Sequence, residues 1–594
     1  MPVRKLSRGT EMISEKIMDK IKLLYGPTKA EDIAKSLGAL MKKYELSKDF
    51  QSPGFLDERD IFLITYADTI QQKGVEPLKS LYQFAKSRLK DIISIIHILP
   101  FFPYSSDDGF SVIDYRQVNP HHGNWEHIRR LGNEFFLCFD LVINHVSSQS
   151  HYFKGFINGD QKYKDFFIVL DPHSDTNSVV RPRSLPLLHK YTTNDGDKWC
   201  WTTFSDDQID FNFKCPDVLL EMLDILLFYV SKGARLIRLD AIAYLWKELG
   251  TSCVHLPQTY AVIELMRAVL DELAPEVLLL SETNFPHKDN ISYFGSGNNM
   301  AQIVYNFPMP PLILHTLNTG NSYHLNSWAK SIKPFSDRTT FLNFTASHDG
   351  IGVRPAADIL SKNEFNELVK NTVKHGGKVS YKNDQGGNPI PYELNINYYD
   401  ALNNPNAENI DEQLNIQKFL ASQSISLIFQ GLPAIYIHSI AGSRNWIYGI
   451  EISGQARSIN REKLDLDVLE QQLADKESRR NIIYNQYTDM IKKRRKEPAF
   501  HPLAEQTIIE MGDAIFALKR TSRDNRESIL AIHNVTNKSQ TLHLDISKSK
   551  GNQRDNRKTK VVINDILNEN VIKISKQGAF FLELKPYQFV WLKT

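Results

Sequence analysis

The chain has 594 residues, 42% hydrophobic and 24% charged, with 71 Lys+Arg against 69 Asp+Glu. Such a composition belongs to a globular protein, and the even charge balance leaves no basic excess to draw nucleic acid or an anionic membrane surface. No run of about 18 apolar residues is present to span a bilayer, and the 4 cysteines contain no C-x-x-C pair, which argues against a structural zinc or a disulfide framework.

The first twenty residues, MPVRKLSRGTEMISEKIMDK, carry positive charge but no continuous apolar core, so they are not read as a secretory signal. A soluble, cytoplasmic protein is the expectation. Residues 1–55 read as a helical extension, because apolar residues recur at three- and four-residue spacing over 11–25 and 29–44. From residue 56 the pattern changes to short apolar runs separated by helical segments. The runs are IFLITYAD (61–68), IISIIHIL (92–99), FFLCFDLVINH (135–145), RLIRLD (235–240), VLLLSE (277–282), QIVYNF (302–307), TFLNFTASHD (340–349) and AIYIHS (434–439). Continuous apolar runs suit strands covered on both faces, as in a parallel sheet. Amphipathic helices between them, for example 216–231 and 259–273, complete eight units and predict an α/β fold, a closed (β/α)₈ barrel.

Two intervals are too long to be simple connections: 146–205, rich in Asp, Ser, Pro and aromatics, and 350–431. Both are expected to be insertions into the barrel, which would then occupy 56–145, 206–349 and 432–500. Long barrel insertions follow the C-terminal strand ends, where active sites sit. The basic run KKRRK (492–496) reads as the solvated face and end of a helix rather than a nucleic-acid patch. Residues 501–594 turn to β-like runs, TIIEMGDAIFALKR, SILAIHNVT and GAFFLELKPYQFVWLK, which predict a separate antiparallel β domain with GNQRDNRKTK (551–560) as a solvated hairpin tip.

Polar residues cluster where the apolar runs end. His145 closes the third run, Arg238 and Asp240 the fourth, Glu282 the fifth, His348 and Asp349 the seventh. A single acid at a strand end is as well read as a helix cap or a structural ion pair, but three acids in one barrel mouth are harder to place that way. A divalent metal site would use paired His or Asp ligands at short spacing, whereas these acids alternate with Arg238 and His348. Glycosidic-bond chemistry needs one ionised carboxylate and one protonated carboxylic acid facing the anomeric carbon. Arg238 lies two residues before Asp240, on the same side of its strand, and its charge is expected to hold Asp240 ionised, as suits a nucleophile. Glu282 follows an all-apolar strand, where desolvation raises a carboxyl toward a usable general acid.

The segments GFSVIDYRQVNP, DLVINH, RLIRLDA, LLSE and ASHDG resemble, in order, the motifs of the α-amylase superfamily, glycoside hydrolase family 13, over roughly residues 56–500. The resemblance implies a TIM barrel with an inserted B domain, a C-terminal β domain and a retaining double displacement. Under it Asp240 is the nucleophile, Glu282 the acid/base and Asp349 the third acid, while His145, Arg238 and His348 contact sugar.

RPRSLPLL (181–188), KELGTSC (247–253), HDGIGV (348–353), PYELNINYY (391–399) and ARSINR (456–461) further resemble the sucrose phosphorylase subfamily. This likeness implies that Asp108, Phe110, Phe204 and Arg457 complete a glucosyl pocket and that Arg183 and Tyr392 handle phosphate, a ligand the guanidinium is well shaped to hold. Glu393 departs from the glutamine of sucrose phosphorylases proper. ETNFPHKDNISYFG (282–295) and HDGIGVRP (348–355) look most like the members acting on glucosylglycerate. There His287, Lys288 and Arg354 would add positive charge beside an anionic acceptor, although Lys288 is equally read as starting a surface helix and Arg354 as pairing with an acid.

The implied activity is that of a retaining α-glucoside phosphorylase, taking a glucosylglycerate- or sucrose-type substrate and inorganic phosphate to α-glucose 1-phosphate. No metal, cofactor, nucleic acid or membrane partner is expected, and a homodimer is an open assembly. Other acceptors (fructose, fructose 6-phosphate, glycerol), a hydrolase or transglucosidase, and an inactive amylase-like binding module are the alternatives.

Overall fold

The computed structural model describes residues 13–44, 55–183, 185–383, 388–545, 562–573 and 579–593. Each of the eight apolar runs supplies one strand of a closed parallel barrel. These are β1 (Phe62–Thr65), β2 (Ile95–Ile98), β3 (Phe136–Leu141), β4 (Ala234–Leu239), β5 (Leu278–Ser281), β6 (Ile303–Tyr305), β7 (Thr340–Asn343) and β8 (Leu432–Tyr436), and β8 closes the ring on β1. Strands sealed by the barrel core on one side and by helices on the other have no face for polar residues, so β1 and β2 are buried throughout.

The N-terminal extension forms helices α1 (Glu15–Tyr25) and α2 (Pro27–Lys43). They lie outside the barrel, against α3 (Pro216–Ser231) and α4 (Pro257–Leu273), the helices that follow the inserted segment and β4. Ile17, Ile21 and Leu24 are buried on α1, and Lys43 pairs with Asp224 at 2.8 Å. Burial is worth about 1.5–3 kcal/mol per aliphatic side chain, against about 0–1 for a part-exposed ion pair. The apolar seam therefore holds the extension in place.

The segment after β3 opens with His145–Ser147, which pairs with Gln208–Asp210. Between those strands lie a helix (His151–Ile157) and a three-stranded sheet in which Gly196–Trp201 is flanked by Val169–Leu170 and Leu188–Thr193. The segment after β7 forms a second small sheet: Ile351–Gly352 pairs with Pro389–Asn395, which pairs with Lys378–Asn383. The helix Glu412–Ile428 then leads back to β8.

Beyond residue 500 a six-stranded antiparallel sheet runs in the order Glu505–Ile508, Ile515–Thr521, Ser528–Asn534, Phe589–Lys593, Val562–Asp565, Asn570–Lys573, beside a pair formed by Gln540–Asp545 and Ala579–Leu584. It is joined tightly to the barrel helices. Ser424 Oγ bonds His533 Nε2 at 2.8 Å and accepts from Trp591 Nε1 at 3.1 Å, and Phe429 stacks on Phe516. The segment 551–560, read as a hairpin tip, lies outside the described residues.

The basic run 492–496 departs from its expectation. It does end a helix, Arg479–Arg494, but Arg494 is wholly buried and donates to the carbonyls of Leu427, Glu58 and Phe500. Arg520, from the C-terminal sheet, likewise donates to Ile428, His501 and Ala504. The two guanidiniums fill the seam by satisfying carbonyls that a helix end leaves without partners. Charge alone did not distinguish that duty from a solvated surface. Among the described residues no helix is long and apolar enough to cross a membrane.

Candidate active site

Register delivers the first acid. Arg238 on β4 stands opposite Asp140 of β3 and Leu280 of β5. Its buried guanidinium bonds Asp140 and also Asp240 Oδ1, the latter at 2.6 Å, and Asp140 takes a further bond from His97 Nε2 at 2.6 Å. Immediately after Asp240, Ala241 adopts φ 47°, a left-handed conformation that costs energy for a residue with a Cβ. The turn directs the Ala241 N–H to Glu282 Oε2 at 3.2 Å, so the ends of β4 and β5 are tied across the cavity floor.

The sequence led us to expect Arg238 to keep Asp240 ionised. The arrangement is more balanced than that, because the single Arg238 charge is divided between two acids. Burial, reinforced by the charges of Glu282 and Asp140, pushes Asp240 up to about 8, with Arg238 opposing the shift. Burial also raises Glu282, aided by Asp349. The two carboxyls interact, and each makes ionisation of the other harder. Asp349 goes the other way. Enclosure would raise it, but the guanidiniums of Arg457 (Nη1 to Oδ1, 2.7 Å) and Arg461 hold it well below the usual carboxylate range.

The rest of the cavity wall comes from loops. Phe110 stacks on His348 with ring centroids 5.1 Å apart, and burial pulls that imidazole down to about 3, so it is neutral. His145 Nε2 bonds the Phe110 carbonyl at 3.0 Å, and Phe204 packs against the His145 ring. Arg183 stands over the Phe204 ring. Arg457 forks onto Glu393 through Nε–Oε1 at 2.9 Å and Nη2–Oε2 at 2.6 Å. Tyr392 completes this side, and its position follows from a β-bulge. Ser380 pairs with Glu393 while Tyr381 pairs with Pro391, leaving Tyr392 as the extra residue. A bulge re-aims a side chain in this way.

Three expected site residues are placed elsewhere, and a fourth, Arg354, stands just behind the wall. In DDGF both acids adopt positive φ, 53° at Asp107 and 47° at Asp108. It is Asp107 that faces the cavity, bonding Arg183 and Gln208 at 3.3 Å each, whereas Asp108 turns to Arg461. Gly109 enforces the geometry, since a Cβ there would sit 2.5 Å from the Pro100 carbonyl oxygen. His287 stacks on Phe341 and burial lowers its pKa, so it is no cation. Lys288 is exposed on the short helix His287–Ile291, off the cavity wall. Arg354 lies over Phe285, one layer behind the wall.

Sequence reasoning missed Asp107, Gln208, Tyr244, Asn284 and Phe285, all on the wall. Asp107 was one position from the residue chosen, and Tyr244 follows Asp240 by four, so local signals existed for both. It also missed Lys247, whose buried ammonium bonds Asn144 Oδ1 at 2.7 Å and Asp210 at 2.6 Å. Asp210 in turn accepts from the Thr203 amide at 2.7 Å, which fixes the chain beside Phe204. Among the described residues no group of three or more His, Cys, Asp or Glu is arranged to hold a metal ion.

Residues 89–350 match the family model described as alpha amylase, catalytic domain. Over 584 residues the chain is 42% identical to the glucosylglycerate phosphorylase of Spirochaeta thermophila, covering 97% of this chain and 98% of that protein. The chain belongs to the α-amylase family, in its sucrose phosphorylase subfamily. The glucosylglycerate phosphorylase of Escherichia coli is 40% identical to this family member, over 98% of this chain and 100% of that one. The crystal structure of sucrose 6F-phosphate phosphorylase from Thermoanaerobacter thermosaccharolyticum shares its fold, with a TM-score of 0.69 at 24% identity, covering 80% of this chain and 94% of that one. This α-amylase family member is an enzyme, a glycosyltransferase-type phosphorylase.

Proposed function

We propose that the enzyme is a retaining phosphorylase of α-glucosides, with glucosylglycerate as its substrate and α-glucose 1-phosphate plus glycerate as products. The observation that carries the mechanism is the pairing of Asp240 and Glu282 at adjacent strand ends, joined through the Ala241 N–H and both raised by burial. With the proton on Glu282, Arg238 stabilises Asp240 as the anion that attacks the anomeric carbon. Glu282 gives its proton to the departing acceptor oxygen, and a covalent glucosyl ester of Asp240 forms with inversion. Phosphate then attacks the same carbon from the vacated side, losing its proton to Glu282 and inverting again, which gives net retention.

Asp349, kept anionic by Arg457, is the fixed negative charge that favours the oxocarbenium-like transition state. Phe110, His145, Arg238, His348 and Asp107 bound the glucosyl pocket. Arg183 and Tyr392 line the side from which phosphate enters, and a guanidinium there favours phosphate over water in the second step. The identities to named glucosylglycerate phosphorylases support the choice of substrate.

Incubation with glucosylglycerate in the presence and absence of phosphate tests the reading. Glucose 1-phosphate should accumulate only with phosphate. Free glucose at equal rates in both would make the enzyme a hydrolase, and turnover of sucrose alone would replace the substrate.

A further inference from the structure

Two cations stand just behind the cavity wall, and among the described residues neither has an acid as partner. Arg354, just after Ile351–Gly352, holds its guanidinium over the Phe285 ring, 4.7 Å from the centroid, and Phe285 is part of the wall. Lys382 lies on the neighbouring hairpin, across from Ile390 on the strand that also carries Tyr392. The three-stranded sheet brings these segments together, and the Val353 N–H donates to the Tyr392 carbonyl at 3.1 Å. Both cations are half-buried, and among the described residues neither makes an ion pair or a hydrogen bond. Burial, and then the charge of Arg354, pulls the Lys382 amine down to about 8, so the two feel each other. Arg354 also acts on the phenol of Tyr244, on the cavity wall.

Half-burying two like charges side by side is unfavourable unless an anion joins them. A third unsatisfied group lies on the wall itself, two residues after Glu282 in the chain. Asn284 lines the cavity, and its buried Oδ1 has no hydrogen-bond partner. Its amide is packed against Gly352, where a Cβ would come within 2.8 Å of Nδ2. Two cations unpaired among the described residues, one of them stacked on a wall ring, thus lie behind a stretch of wall that presents a free acceptor oxygen.

We propose that Arg354 and Lys382 seat an anionic group of the acceptor, the carboxylate of a small hydroxy acid, while Asn284 accepts a hydrogen bond from one of its hydroxyls. The inference rests on the phosphorylase reading and adds to it the side chains that choose the acceptor. A phosphate ester presents the same charge to the same cations, so the test includes one.

The experiment runs the enzyme in the synthetic direction, with glucose 1-phosphate and either glycerate, glycerol or fructose 6-phosphate, measuring phosphate release. Wild type is compared with Arg354→Gln, Lys382→Met, the double variant and Arg354→Lys. The readout is the ratio of kcat/KM for glycerate to that for glycerol within each protein, which is independent of how much of a variant folds. We expect the ratio to fall about 10-fold or more in each neutral variant, the scale of one charge-assisted hydrogen bond, further in the double variant, and least in Arg354→Lys. An unchanged ratio in the double variant overturns the seat while leaving the phosphorylase reading intact. Loss confined to fructose 6-phosphate keeps the anion seat and overturns the hydroxy acid. A wild type that uses only neutral acceptors overturns both the seat and glucosylglycerate as substrate.

Discussion

Glu393 grips Arg457 through both carboxylate oxygens, and the remaining corner of the guanidinium reaches Asp349 at 2.7 Å. Glu393 is only 2% exposed, and both of its carboxylate oxygens are taken up in orienting Arg457. Glu393→Gln would put an amide nitrogen against a guanidinium that can only donate. We expect kcat/KM for glucose 1-phosphate to drop about 10–100-fold, the value of a hydrogen bond to a charged group, with part of the loss recovered in Glu393→Asp. Steady-state kinetics in the synthetic direction measures both.

Asp240→Asn removes the attacking oxyanion and should lower phosphate-dependent turnover by about 10⁴-fold or more. Glu282→Gln should behave differently. It removes the proton donor, so glucosylglycerate is lost as a substrate, whereas a glucosyl fluoride, whose leaving group needs no proton, should still react with Asp240. Parallel assays with the two donors separate the roles. Equal loss with both donors in Glu282→Gln would contradict the assignment.

The raised Asp240 makes stability depend on pH. Its carboxyl titrates near 3.8 in the unfolded chain and is pushed up to about 8 in the folded one. Between those values the native state binds the extra proton, so stability falls as pH rises through the window. Asp240→Asn cannot lose that proton. Its melting temperature should exceed that of wild type by about 1–3 °C at pH 8 and by less at pH 5. Thermal melts across pH 5–8 decide the matter, and a constant difference would mean that Asp240 is not strained by its surroundings.

The Lys247–Asp210 pair is buried on both sides. Lys247→Met strands a carboxylate in the interior and should destabilise the protein by about 3–5 kcal/mol. Adding Asp210→Asn removes the stranded charge and should return much of that stability, as read by chemical denaturation. The double variant is expected to keep a looser Phe204, and so a higher KM for glucose 1-phosphate, because the Thr203 amide loses its anionic partner.

Gly352→Ala places a methyl 2.8 Å from Asn284 Nδ2 and 3.1 Å from Oδ1. The amide must move, so we expect KM for glycerate to rise about 10-fold with KM for glucose 1-phosphate nearly constant. Saturation curves for the two substrates provide the comparison.

Much of the scaffold was legible in the residues. Strands buried on both faces leave continuous apolar runs, and the polar residue that ends such a run must face the mouth, which is why Asp240 and Glu282 could be read directly. Asp349 was read at the end of its run as well, but its role came only through the motif, since it lies six residues beyond β7. The choice between Asp107 and Asp108 turns on two successive left-handed backbone angles that no composition reveals. The charge duties of Arg494, Lys247 and Glu393 depend on partners distant in sequence, such as Leu427, Asp210 and Arg457. Lys382 carries no local signal at all. It gains meaning from Arg354, 28 positions earlier, once a hairpin folds back.

The bulge at Tyr392 has a consequence for how such enzymes diverge. Side chains alternate along a strand, so losing a single residue between Pro391 and Glu393 would restore regular pairing with Ser380 and Tyr381 and withdraw the phenol from the mouth. None of the three acids would move. Here a count of residues, more than their kind, decides whether a phenol lines the mouth. Insertions and deletions in this hairpin are therefore a route by which one barrel can change the lining of its mouth while its strand-end acids stay in register.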